Sequence, residues 1–234
     1  MTAASNPTPW VPVALTCDLP AGGVMRAQAA GHDLAVWRAH DDTVHCVDNR
    51  CPHRGMRLSF GFVRGNRLNC LYHGWQYGTS GACQYIPAHP ELEPPVSLCV
   101  STFPCCEAGG LVWISFLPDT APLPDAAAGT PLRSLAVDAP HDSVQHSLVD
   151  GELPDTRHPR TGCALVDRTP GPVHSRLTLQ PAAGDAVTVQ VTLQAVTDLT
   201  CVLHTQLTTT APAAARVAAS RWLEALRRTL ETPA

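Results

Sequence analysis

Cys51-Pro52-His53-Arg54-Gly55 and Cys70-Leu71-Tyr72-His73-Gly74-Trp75 are the two stretches on which the reading of this chain turns. The first is a C-x-H pair and the second a C-x-x-H pair, with sixteen residues between His53 and Cys70. Each stretch offers one thiolate and one imidazole. That division suits a [2Fe-2S] cluster with unlike irons, Cys51 and Cys70 on one and His53 and His73 on the other. Exchanging two thiolates for neutral imidazoles removes negative charge and raises the potential above that of an all-cysteine ferredoxin. Two other readings compete: Cys2His2 sets also ligate zinc, and the stretches could be unrelated turns. A zinc finger, however, takes both cysteines from one short knuckle and both histidines from one helix. Here each loop supplies one of each, and Gly55 and Gly74 stand where a tight turn brings backbone close to a sulfur.

The longer run CPHRGMRLSFGFVRGNRLNCLYHGWQYGTSGACQYIPA, residues 51–88, resembles the Rieske domain of the Rieske non-heme iron oxygenases. The resemblance includes Arg54 after the first histidine and the His73-Gly74-Trp75 that closes the second loop. The Rieske protein of respiratory bc complexes is less similar, because it carries an extra cysteine in each cluster loop. The corresponding neighbourhoods here hold Met56, Leu71 and Tyr72. The resemblance implies Cys51, His53, Cys70 and His73 as cluster ligands. With few hydrogen-bond donors near the sulfurs, it also implies a potential nearer about −150 mV than about +300 mV. Tyr72 and Trp75 are expected to pack over the cluster.

Composition narrows the class. The chain has 234 residues, 44% of them hydrophobic, enough for one large or two small domains. Its net charge of −4, with no basic block, argues against nucleic acid and anionic membrane as partners. MTAASNPTPW lacks the basic-then-apolar order of a signal peptide, and no run of eighteen apolar residues occurs. Eight cysteines outside the motif sit mostly in apolar runs and read as small buried hydrophobes in a reducing cytoplasm.

In chain order, strands are expected over 10–15, 24–30, 33–39, 43–47 and 110–116, joined by turns at Gly31-His32, Gly61, Gly65-Asn66 and Thr79-Ser80-Gly81. This gives one antiparallel β domain over residues 1–117. Residues 118–140 are rich in Pro and Ala and read as a linker or extended crossing segment. From His141 the chain returns to β, with strands over 173–180, 186–196 and 199–209. In the second of these, Val187, Val189, Val191 and Leu193 alternate with Thr188, Gln190, Thr192 and Gln194, the pattern of a half-buried strand. Ala219, Trp222, Leu223, Leu226 and Leu230 mark a closing helix. The fold class is mainly β, or α+β: a β Rieske domain, then residues 141–234 as a small antiparallel sheet with a C-terminal helix.

In the family, the domain after the cluster binds a mononuclear iron through two histidines and a carboxylate, leaving positions open for O2. Asp155-Thr156-Arg157-His158 matches the D-x-x-H part of that site, yet the next histidine is His174, in an expected strand. Taking Asp150 and His158 instead puts Leu153 where the first histidine belongs. Either alignment loses an imidazole, so an intact mononuclear Fe(II) is not expected and no catalytic residue is assigned. Asp185 and Asp198 lie at turns, where acids are common for local reasons.

Three functions fit these residues. The first is an oligomeric electron-transfer subunit, fed by a reductase or ferredoxin and paired with a full-length Rieske oxygenase chain. The second is a compact oxygenase for a small organic substrate, and the third is a cluster-binding remnant.

Overall fold

The computed structural model describes residues 10–117, 127–150, 153, 163–171 and 173–232. The chain divides into two compact units, residues 9–124 and the part from residue 125 onward.

Short strands build the first unit, starting with β1 (Trp10–Leu15), β2 (Val24–Ala29), β3 (His32–Arg38) and β4 (Val44–Asp48). The hairpin strands β5 (Phe62–Arg64), β6 (Arg67–Asn69), β7 (Gln76–Tyr77) and β8 (Cys83–Tyr85) follow. Last come β9 (Thr102–Phe103), β10 (Cys105–Ala108) and β11 (Leu111–Ser115). They form three antiparallel sheets, ordered β1-β11-β10, β2-β3-β4-β9 and β5-β6-β7-β8. The alternating runs of the sequence thus become strands within a residue or two of where they are expected.

Strand β3 explains how two cores fit in so small a unit. Its residues alternate sides: Ala35 and Trp37 enter the core that also holds Cys51 and Cys70. Leu34 and Val36 enter a second core with Val112 and Ile114 of β11. A strand buried on both faces reads as a continuous apolar run rather than an alternation. At its end Arg38, 3% exposed, donates Nε–H to the Leu19 carbonyl at 2.7 Å and Nη1–H to Glu107 Oε2 at 2.8 Å. This fork pins β3 to β10, and it holds the Glu107 carboxyl below its ordinary pKa.

The second unit contains β12 (Thr130–Val137), α1 (His141–Val149), β13 (Cys163–Thr169), β14 (His174–Pro181), β15 (Val187–Thr197), β16 (Thr200–Leu207) and α2 (Ala213–Glu231). Its five-stranded sheet runs β12-β16-β15-β14-β13. Ala215, Ala219, Trp222, Leu223 and Leu226 of α2 pack on Leu177, Val189, Val191 and Leu203 of the sheet. Among the described residues no helix is long and apolar enough to cross a membrane.

Three expectations need correction here. The stretch read as a linker contains β12, an edge strand whose Pro131 sits at a register shift, where a residue without an N–H is tolerated. Residues 141–149 are helix, not strand; only Val144 and Leu148 face the core, too few to register as a period. Finally, the second face of β15 is closed: Gln190, Thr192 and Gln194 are 1%, 1% and 3% exposed. Cross-strand hydrogen bonds make that burial affordable. His204 Nε2 lies 3.0 Å from Gln194 Oε1, which can only accept, so Nε2 carries the proton. His204 Nδ1, 2.9 Å from Ser134 Oγ, is then the acceptor of the hydroxyl.

Burial pushes the His204 imidazole down to about 4. A histidine depressed in the folded state is stabilising above its unfolded pKa and loses that stability as pH falls through the folded value. Stability should therefore drop between about pH 6.5 and 4, by roughly 3 kcal/mol in total. Urea unfolding at successive pH values checks this, and His204→Gln should flatten the profile over that window.

Candidate metal centre

The two motif loops share one backbone design. In the first, the Cys51 N–H donates to the Met56 carbonyl at 2.9 Å and the Gly55 N–H to the Cys51 carbonyl at 2.8 Å. In the second, the Cys70 N–H donates to the Trp75 carbonyl at 2.9 Å and the Gly74 N–H to the Cys70 carbonyl at 3.0 Å. Gly55 and Gly74 take φ of +72° and +70°, which a Cβ would disfavour. A Cβ on Gly74 would also come within 3.0 Å of Pro87 Cγ.

The sheets place these loops. The second loop is the tip of the β6–β7 hairpin, held by the Asn69–Gln76 and Leu68–Tyr77 pairs. The first leaves β4 through Asn49, which is 2% exposed. Asn49 Nδ2 donates to Asp33 at 2.9 Å, and its Oδ1 accepts the Ser59 N–H at 2.7 Å. Its carbonyl accepts the Leu58 N–H, so one side chain and its backbone staple both ends of the loop.

The side chains divide by depth. Cys51 and Cys70 are each 2% exposed, within the core formed by Leu58, Leu68, Tyr77 and Ile86. Burial, with Cys51 beside it, holds the Cys70 thiol above its ordinary pKa. His53 is half-buried and His73 exposed, their rings 4.6 Å apart. Burial, His73 and Arg54 lower the pKa of the His53 imidazole. Trp75 stacks flat on His53 at 4.4 Å and 5°, and exposed Tyr72 tilts against His73 at 3.8 Å. Each of the two aromatics expected over the cluster thus packs on one imidazole.

Tyr77 was not expected in this role. Its hydroxyl lies 3.1 Å from Cys51 Sγ, and burial keeps it protonated. A thiolate has no proton, so against a metal-bound sulfur the tyrosine donates. The signal was available in part: in the short strand Gln76-Tyr77 the two residues take opposite faces, so the aromatic one turns to the core that holds the cysteines.

The donor set fits a [2Fe-2S] cluster: two soft thiols inward, two imidazoles at the rim, and a hydroxyl placed to donate to a sulfur. Among the described residues no three His, Cys, Asp or Glu side chains gather around a single ion position. Asp155 and His158 lie outside the described residues. Asp150 ends α1, its N–H on the His146 carbonyl at 2.9 Å. Asp185 and Asp198 are exposed in turns, and His204 and His174 are held by sheet hydrogen bonds.

Gly74→Ala and Gly31→Ala test the loop geometry against each other. Both positions have positive φ, but a Cβ at Gly31 meets nothing within 4 Å. Gly31→Ala should cost about 1 kcal/mol of backbone strain. Gly74→Ala should cost roughly 2–3 kcal/mol, with earlier loss of bound iron on heating. Equal melting points for the two variants would contradict the packing described.

Residues 9–104 match the Rieske [2Fe-2S] domain family. Over 146 residues the chain is 42% identical to the oxidoreductase NdmD of Pseudomonas putida, covering 58% of this chain and 24% of that protein. Over 110 residues it is 42% identical to the methylxanthine N1-demethylase NdmA of the same organism, covering 45% of this chain and 31% of that one. The chain thus spans less than a third of the length of these curated relatives. The solved structure of NdmA from Pseudomonas putida CBB5 superposes with a TM-score of 0.68 at 24% identity, over 96% of this chain and 81% of that one, a likeness of fold. The chain therefore contains a Rieske [2Fe-2S] domain at residues 9–104, and over that stretch it is similar to the oxidoreductase NdmD and the demethylase NdmA.

Proposed function

We propose that Cys51 and Cys70 hold one iron, and His53 and His73 the other, of a [2Fe-2S] cluster. The chain passes electrons from a reductase or ferredoxin to a mononuclear iron in a partner chain. The carrying observation is the pair of matched loops that buries two thiols and leaves two imidazoles 4.6 Å apart at the rim. When bound, the cluster supplies a one-electron carrier. The protein's own groups do the rest. Cys51 and Cys70 anchor from inside the core, where water is excluded. Tyr77 donates a hydrogen bond to the Cys51 sulfur. Trp75 fixes the plane of the His53 ring, and His73 with Tyr72 forms the exposed edge. Among the described residues no two cysteines form a disulfide, which suits a reducing compartment such as the cytoplasm.

A second reading, a compact oxygenase acting on a small organic substrate, draws on the fold likeness to the demethylase NdmA, which runs over 96% of this chain and so includes the second unit. Metal analysis separates the two. The relay reading expects two irons and two acid-labile sulfides per chain, and the reduced protein should give a Rieske-type EPR signal that His53→Cys or His73→Cys shifts toward the ferredoxin type. Three irons, with hydroxylated product from one turnover of the reduced chain alone, would establish the oxygenase. One zinc and no sulfide would overturn both.

Tyr77→Phe should lower the reduction potential by about 20–60 mV, the equivalent of one hydrogen bond of roughly 0.5–1.5 kcal/mol. Voltammetry on the purified holoprotein reads the shift. An unchanged potential would remove Tyr77 from the site.

A further inference from the structure

Three of the ten cysteines share one core: Cys51, Cys70 and Cys83 are buried together with Tyr77, Leu68 and Ile86. The proposed cluster uses the first two. Cys83, 6% exposed, is left over.

The local pairing explains how Cys83 arrives there. Gln76 stands opposite Tyr85 and Tyr77 opposite Cys83, so Gln84 is an extra residue in β8. In a regular strand Cys83 and Tyr85, two apart, would share a face. The bulge separates them, because directly opposed residues lie on one face. Cys83 joins Tyr77 in the core, and Tyr85 joins Gln76 on the other side. Gln84 is exposed, its amide lying over Gly78 where a Cβ would meet it. Bulges beside functional sites commonly re-aim a side chain in this way.

The backbone holds Cys83 in that position. Its N–H donates to the Leu98 carbonyl at 2.8 Å, and the Val100 N–H donates to the Gly81 carbonyl at 2.9 Å. The Cys83 thiol is directed to the Tyr85 carbonyl at 3.8 Å, so it offers Tyr77 a flank and not a proton. Tyr77 therefore stands between two cross-strand neighbours, Leu68 of β6 and Cys83 of β8. Side chains opposed in this way have Cβ atoms about 4.5–5.5 Å apart, close enough to pack. At the end of the same ring the hydroxyl reaches Cys51 Sγ at 3.1 Å. A tyrosine side chain turns about two bonds, so what stands against the ring decides where its oxygen sits.

We propose that Cys83, though not a ligand, is a positioning residue for the Tyr77–Cys51 hydrogen bond and through it helps to set the potential of the cluster. The proposal rests on the reading of Cys51 as a cluster ligand. A hydrogen bond to a cluster sulfur favours the more negative, reduced cluster, so loosening it lowers the potential. Removing the Cys83 sulfur opens space beside the ring and lets the bond lengthen.

The test is a double-mutant cycle on the cluster-loaded full chain, read as the redox equilibrium against a fixed mediator. Tyr77→Phe sets the full effect. Cys83→Ala should shift the equilibrium about two- to fivefold toward the oxidised form, within what one weakened hydrogen bond allows. In the Tyr77→Phe background the same substitution should shift it no further. Cys83→Thr refills the space and keeps a hydroxyl for the Tyr85 carbonyl, so it should restore the wild-type equilibrium. Cys46→Ala removes a buried thiol from the other core of the unit. It should lower the melting point without moving the equilibrium, which separates positioning from a general loss of packing. If Cys83→Ala sheds the cluster, Cys83→Ser takes its place in the cycle with the same expectation.

An equilibrium unchanged by Cys83→Ala overturns the proposal. So does a shift that persists in full beside Tyr77→Phe, because the thiol would then act on the cluster directly. Failure of Cys83→Thr to restore the equilibrium, or an equal shift in Cys46→Ala, does the same. All of these are measured on protein that keeps its Rieske EPR signal, so the relay reading survives them. A wild-type chain that never yields that signal sinks the relay reading instead.

Discussion

Everything in the first unit depends on one constraint: two thiols must meet inside a hydrophobic core while the histidines two and three residues further along reach its edge. The chain meets it twice with the same pair of backbone hydrogen bonds, cysteine N–H to the carbonyl five residues on and glycine N–H back to the cysteine carbonyl. The glycine is required because the turn passes through positive φ at +72° and +70°. Within each six-residue loop the cysteine side chain is buried and the histidine lies nearer the surface. The supports follow from it. The β6–β7 register holds one loop, and Asn49 staples the other. β3 lends a face to the core beneath both.

The second unit solves a different problem with the same economy. Its sheet has one apolar face for α2 and one polar face whose centre, at Gln190, Thr192, Gln194 and His204, is nonetheless buried. A buried polar face is tolerable only where donors meet acceptors. The Gln194–His204–Ser134 chain does so across three neighbouring strands. Ser134 stands directly opposite His204, and Gln194, opposite Val202, reaches the same imidazole diagonally from the other side.

How much of this was legible in the sequence depended on whether a residue type betrays its own environment. The Cys-His spacing is such a signal, because few arrangements use one of each in two tight turns. The alternation of β15 and the stripe of α2 are others. β12, α1 and β13 were not legible for opposite reasons. β12 and β13 are edge strands with register shifts after Pro131 and Leu165, which break alternation. The nine residues of α1 contain two core positions, too few for any period. The polarity of the β15 face was legible but its burial was not, since Gln and Thr look alike in water and in a satisfied interior until their partners are known. Tyr77 belongs between these cases: its side was readable, its hydrogen bond was not.

The depth gradient at the metal centre separates two properties that are often entangled. With the proposed cluster bound, the potential would be set where the dielectric is low and donors are fixed, and that is the inner side, with Cys51, Cys70 and the Tyr77 hydroxyl. Rate of encounter is set where charge meets solvent, the outer side, with Arg54 and Tyr72 one residue from the imidazoles. The two sides are joined through a single residue in the first loop and two in the second, so the interior reaches the surface in two or three peptide bonds. Because inner residues sit in the sheet and outer ones on loop tips, substitution on one side need not disturb the other. A fold built this way can keep its driving force constant while its surface changes to suit a different donor.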